Sequence, residues 1–228
     1  MPGGHGSAKP GLSRAALRNS AVRLVVAGFA AVTVAEWMLG TAVAVHALRR
    51  VPVPAGARVV VLGAGAIGQA VAQLARLSGA GRVTVVGRRP GPLAAARSLG
   101  ADETVDLGAG EPPPENADVV FETAGGAGQV GRALAAAGPG GSIGIVGESF
   151  EPESIDPAGA MPRELTIAFV WSHDGRSEYL RALTLAGSGQ ATLAPIVTHR
   201  YPLAELSAAF EAALDRGRSG AIKVMVTP

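Results

Sequence analysis

The sequence predicts an α/β fold: a doubly wound parallel sheet of six strands with helices on both faces. Three observations carry this. Short apolar runs alternate with stretches of helical spacing. A glycine-rich turn, Gly63-Ala64-Gly65-Ala66-Ile67-Gly68, joins the first run to a helix. A second run ends at Gly87-Arg88-Arg89, 19 residues after Gly68, where a βαβ unit closes. At 228 residues and 48% hydrophobic, the chain is long and apolar enough to bury a sizeable core. Only 4% is aromatic and the formal net charge is +2, which excludes a disordered chain and gives no sign of a nucleic-acid partner. Without cysteine there is no disulfide, thiol nucleophile or cysteine-based zinc site; a cytoplasmic location is expected.

Residues 1–20 are rich in Gly, Ser, Ala, Pro and Arg and are expected to form a mobile tail. Residues 21–50 read as an apolar helical lead-in, broken by Arg23, Glu36 and His46. Basic residues precede it, so a membrane anchor is the alternative; Glu36 and the passage through Arg49-Arg50-Val51-Pro52 into a strand favour a buried helix. Residues 51–228 are expected to form the main domain with a C-terminal return segment. Its predicted strands are Val59–Leu62, Arg82–Val86, Glu103–Asp106, Ala117–Phe121, Ser142–Val146 and Leu165–Trp171. Helices are predicted over Ala66–Ser78, Pro92–Leu99, Gln129–Ala137, Tyr179–Gly187 and Leu203–Leu214, with a last strand over Ile222–Val226. The prolines of Gly108–Asn116 mark a loop, and Pro139-Gly140-Gly141 a turn.

The glycine spacing has a physical reading. Gly63 permits a tight turn, Gly65 removes the side chain that would hold a pyrophosphate off the backbone, and Gly68 lets helix and strand pack closely. The helix N-terminus then aims free N–H groups at the phosphates. Where an NAD site presents an Asp or Glu to the ribose 2′-hydroxyl, this chain has Gly87, followed by Arg88 and Arg89. A carboxylate there would repel a 2′-phosphate, whereas arginine meets it with charge-assisted bonds. The expected cofactor is therefore NADP, with NAD the less favoured alternative. Strand ends nominate Glu122-Thr123-Ala124-Gly125, Gly147-Glu148 and Ser172-His173 as further lining of the cleft.

Several stretches together resemble the zinc-binding alcohol dehydrogenases of the medium-chain dehydrogenase/reductase superfamily. They are Arg49-Arg50 before a strand, the glycine turn, Ser98-Leu99-Gly100-Ala101-Asp102, Pro139-Gly140-Gly141, Val197–Leu203 and Gly220-Ala221-Ile222-Lys223-Val224. The resemblance covers residues 39–228 and implies a Rossmann cofactor domain. It implies that Gly65, Ala66 and Ile67 approach the pyrophosphate and that Arg88 and Arg89 hold the 2′-phosphate. It further implies that Thr41 and the loop at Ala124 face the cofactor, with Lys223 near its phosphates. Members of that family begin with a GroES-like domain bearing zinc ligands. At most 38 residues precede the resemblance here and there is no cysteine, so no zinc is expected.

No catalytic residue is assigned. His5, His46, His173 and His199 lack ligand spacing, neither Tyr179 nor Tyr201 begins a Tyr-x-x-x-Lys pair, and no G-x-S-x-G or Walker A motif occurs. Glu122 and Glu148 are cleft carboxylates for which a capping or solvated role is favoured. Three functions stay open. The first is an NADP(H)-dependent oxidoreductase of an alcohol/carbonyl substrate, truncated or completed by a partner that supplies the substrate domain. The others are a non-catalytic NADPH-binding module and a membrane-anchored nucleotide-binding protein. A homodimer through the apolar edge strand at 165–171 is expected, as the resemblance also implies.

Overall fold

The computed structural model describes residues 40–171, 176–192 and 194–227. The expected tail, the lead-in up to residue 39, and Ser172-His173 lie outside the described residues. The described end of the lead-in is a helix, α1 (40–50), with Thr41, Ala42, Ala44 and Ala47 buried. Such small side chains allow close approach to the sheet. No helix among the described residues is long and apolar enough to cross a membrane.

The central sheet contains β1 (Arg58–Leu62), β2 (Arg82–Gly87), β3 (Glu103–Asp106), β4 (Ala117–Glu122), β5 (Ala137–Ile145) and β6 (Thr166–Phe169). Its order is β3-β2-β1-β4-β5-β6, and every pairing is parallel. Alternating side chains build two cores. Val59, Val61, Val83, Val85 and Phe121 face α1, α2 (Ala66–Leu77) and α3 (Pro90–Ser98). Val60, Leu62, Val120, Ile143 and Ile145 face α4 (Gln129–Ala136) on the other side. Burial on both faces explains why these strands read as unbroken apolar runs. Each such side chain contributes about 1.5–3 kcal/mol by leaving water.

A short helix, α5 (Pro157–Ala160), leads towards β6, and α6 (Arg176–Gly187) follows it. Glu178 ties α6 to α1: its buried carboxylate accepts from Arg49 at 2.8 Å and from Ser177 Oγ at 2.7 Å, with His46 Nδ1 at 3.2 Å. The Ser177 hydroxyl, its own backbone N–H and His46 hold this carboxyl down at about 2.

Three strands depart most from the sequence expectation. β5 starts at Ala137, five residues before the predicted Ser142. The expected turn is absorbed as a bulge: the register jumps from Ala117↔Ala137 to Val119↔Ser142, and Gly140 at φ +72° takes up the bend. β6 keeps its edge position but spans four residues instead of seven. β7 (Val197–Pro202), for which no strand was predicted, pairs in parallel with β8 (Lys223–Thr227) in a separate two-stranded sheet. The connection carries α7 (Leu206–Leu214), which packs on both strands, and α8 (Arg216–Ser219).

Candidate functional site

The adjacent strands β1 and β4 connect onward in opposite directions, β1 to β2 on one side and β4 to β5 on the other, opening a crevice at their carboxyl ends. The glycine turn lies there. Gly63 has φ +111°, and its N–H donates to Val86 O at 2.8 Å. A Cβ on Gly68 would lie 1.9 Å from Gly63 O, so no side chain fits. A Cβ on Gly65, in contrast, would meet nothing within 4 Å. Gly65 caps α2 without a side-chain hydrogen bond, leaving the first-turn N–H groups of Ala66, Ile67 and Gly68 facing the crevice end of the helix. That arrangement fits an anionic diphosphate.

Gln69, fully buried, clamps the turn from behind. Its Nε2 donates to Ala64 O at 3.2 Å and to Pro92 O at 2.8 Å, joining the turn to the start of α3. Thr123 completes the floor, its hydroxyl donating to Leu62 O at 2.9 Å.

The cleft above this floor holds about 300 Å³. Its walls carry Arg88, Arg89, Arg132 and Arg216, and no Asp or Glu lines it among the described residues. Arg88 follows β2 and is exposed; Arg132 stands on α4 and Arg216 on α8. Arg89 is half-buried, and its Nη1 donates to Arg216 O at 2.5 Å and to Ala221 O at 3.3 Å.

A second cavity of about 510 Å³ lies beyond the β4 loop, at the ends of β5 and β6. It is lined by Phe150, Ile155, Phe169 and Trp171 and by four glutamates, Glu122, Glu148, Glu151 and Glu153. Glu122, 1% exposed, acts as the clasp of the intervening loop. Its Oε1 accepts from Ala124 N at 2.6 Å and from Gly125 N at 2.8 Å. Burial pushes its carboxyl up, against the lowering effect of the Gly125, Ala124 and Gly147 N–H groups, and the nearby Glu153 charge adds to the rise.

The structure brings Gly63, Gly65, Gly87, Arg88, Arg89 and Ala124 together on one cleft, with Ala66, Ile67 and Gly68 in the helix turn beside them. Thr41 is buried on α1 and Lys223 opens β8; neither lines that cleft. Sequence reasoning missed Gln69, Arg132 and Arg216. A glutamine on an otherwise apolar helix face was a usable signal for the first. The two arginines enter from remote segments, and no local pattern marks them. Among the described residues, no three His, Asp or Glu side chains gather as a metal ion requires.

Comparison with known proteins agrees with the fold. Residues 66–188 match the family model described as zinc-binding dehydrogenase. Mouse sorbitol dehydrogenase is 31% identical over 195 residues, covering 81% of this chain and 53% of that protein. L-threonine 3-dehydrogenase of Bacillus subtilis is 30% identical, covering 77% of this chain and 52% of that protein. The chain thus spans about half the length of the curated relatives it matches. A Sinorhizobium meliloti 1021 protein described as a zinc-binding dehydrogenase, solved bound to NADP, superposes with a TM-score of 0.73 at 30% identity. That match covers 83% of this chain and 57% of the other.

Proposed function

The chain belongs to the zinc-binding dehydrogenase family, and we propose that it forms the NADP(H)-holding half of an oxidoreductase acting on an alcohol/carbonyl substrate. The single observation that carries the cofactor choice is the cleft at the end of β2. It offers Gly87 and arginines where an NAD site needs a carboxylate, and no acid lines it among the described residues. Residues Gly63–Gly68 hold the pyrophosphate, and Gly87 leaves room for a 2′-phosphate met by Arg88. Ala124 and the cavity lined by Phe169 and Trp171 would receive the remainder of the dinucleotide. When bound there, the cofactor supplies or accepts hydride.

The chain's own residues bind and orient. Gln69 and Glu122 keep the glycine turn and the β4 loop in place, and Phe169 and Trp171 would offer the nicotinamide ring an apolar wall. The described residues do not offer a zinc donor set; the reading rests on the dinucleotide site alone. The named relatives act on a polyol and on an amino acid with a hydroxyl group, which supports a small hydroxylated substrate. A homodimer through β6 belongs to the same reading: it is the sheet edge, with Phe169 68% exposed. So does a cytoplasmic location.

Fluorescence titration of the purified protein with NADPH and NADH tests the proposal. NADPH is expected to bind at least about tenfold more tightly than NADH, a preference that Arg88→Ala reduces. Folded protein that binds neither nucleotide would overturn it.

A further inference from the structure

We infer that the 2′-phosphate is received by three arginines from three separate segments, Arg88, Arg132 and Arg216, and that Arg89 is a positioning residue. This deepens the NADP(H) reading and rests on it.

Arg89 comes first, because the adjacent pair Arg88-Arg89 invites an equal role for both. The structure separates them. The Arg89 guanidinium is already engaged with two backbone carbonyls, those of Arg216 at 2.5 Å and Ala221 at 3.3 Å. It straps α8 and the chain entering β8 to the first residue before α3. The strap is half-buried, unlike the exposed Arg88. A guanidinium spent in this way fixes the wall of the cleft, and one of its two terminal nitrogens is no longer available to an anion.

Arg216 is the residue the strap positions. Its carbonyl receives Arg89, and its Nε donates to Ala213 O at 3.0 Å. Both terminal nitrogens remain, which is the face that meets a phosphate as a fork. Arg132 reaches the same cleft from α4, which follows β4, whereas Arg88 follows β2; the two strands flank β1. Among the described residues neither Arg88 nor Arg132 has a side-chain hydrogen bond or ion pair, and the ion pair nearest Arg216 in sequence is made by Arg218 with Asp215.

Three exposed arginines line one cleft, and among the described residues no carboxylate lining it offsets their positive charge. A dianionic ligand does. The pyrophosphate is already served by the glycine turn and the N-terminus of α2, on the β1 side. The phosphate left for the arginines is the one on the ribose, beside Gly87.

The test compares NADPH, NADH, 2′,5′-ADP and 5′-AMP by titration calorimetry. Wild-type protein is compared with Arg132→Ala, Arg216→Ala and Arg89→Ala, each checked for folding by its melting curve. Arg132→Ala and Arg216→Ala are each expected to weaken NADPH and 2′,5′-ADP by about five- to thirtyfold, leaving NADH and 5′-AMP within about twofold. Arg89→Ala is expected to lower the melting temperature and to weaken NADPH selectively by no more than Arg216→Ala does. The double variant Arg89→Ala/Arg216→Ala is expected to bind NADPH no worse than Arg216→Ala alone. Equal losses for both nucleotides would assign Arg132 and Arg216 to the pyrophosphate and overturn the inference, as would no loss at all. A further selective loss of NADPH binding when Arg89→Ala is added to Arg216→Ala would show that Arg89 meets the phosphate itself and would overturn the positioning role. Wild-type protein that prefers NADPH while the variants match it refutes only this inference; wild-type protein with no preference refutes the NADP(H) reading itself.

Discussion

The two cavities on either side of the β4 loop have opposite chemistry. One, of about 300 Å³, is lined by four arginines and no acid among the described residues. The other, of about 510 Å³, is lined by four glutamates and a wall of Phe150, Phe169 and Trp171. The segment Glu122–Gly126 lines both, Glu122 and Gly126 facing the larger and Thr123, Ala124 and Gly125 the smaller. A ligand that filled both would be anionic at one end and, at the other, flat and neutral or positive. A phosphorylated dinucleotide has that polarity, since its oxidised nicotinamide ring carries a positive charge. The division shows that the sheet's carboxyl edge is sorted by charge along its length and not merely open.

Reversing the charge of the arginine side is expected to give the largest effect. Gly87→Asp places a carboxylate where the 2′-phosphate would sit. Its Cβ would meet Leu93 Cδ2 at 3.0 Å and Ala64 Cβ at 3.1 Å, so two side chains must give slightly. NADPH affinity is expected to fall by about 30- to 300-fold, while NADH binding holds or improves through the ribose hydroxyl. Parallel titrations with the two nucleotides read the switch. Unchanged NADPH affinity would break the comparison at its stronger end.

The glutamate side calls for a smaller test. Glu148 is exposed, so its field is screened. Glu148→Gln is expected to weaken NADP⁺ by about two- to fivefold while leaving NADPH nearly unchanged, because only the oxidised ring is charged. Equal effects on both redox forms would show that the acidic lining does not face the nicotinamide.

Much of the arginine side was legible in the sequence, and little of the other. Gly63 and Gly68 announce themselves because a tight turn and a close helix leave no room for a side chain there, while Gly65, with open space before it, is marked by its spacing between them. Arg88 is marked by its distance from that turn. Both signals are local. Arg132 and Arg216 reach the cleft through tertiary packing, and the strap from Arg89 spans 127 residues to Arg216. Glu122 was visible as a strand-end carboxylate, but its role as a loop clasp needed the positions of Ala124 and Gly125 N–H groups. β7 escaped for a different reason. Its burial alternates, with Val197, His199 and Tyr201 turned partly inward, but the intervening Thr198, Arg200 and Pro202 disguised a strand. Its partner among the described residues lies more than 20 residues on, in β8.

The clasp between the two cavities gives the finest test, and it reads through pH. Glu122 has a folded pKa raised above its ordinary 4.5 by burial. The folded state therefore holds this proton more tightly than the unfolded chain does. The resulting stabilisation is complete below pH 4.5 and is lost as pH rises through the folded value. Glu178 acts in the opposite sense. Held down at about 2, it contributes stability above 4.5 that disappears as pH falls towards 2. Glu122→Gln keeps a carbonyl able to accept from Ala124 and Gly125 N–H but cannot ionise. The variant is expected to lose the wild-type decline in melting temperature above pH 4.5 while retaining the acid decline that Glu178 produces. Its NADPH affinity should stay within about threefold of wild type at pH 7, since a neutral amide can hold the same loop. Melting curves from pH 3 to 8 decide the matter. If the variant's pH profile is unchanged, Glu122 is not the buried proton carrier, and the loop dividing the cavities is held by its backbone bonds alone.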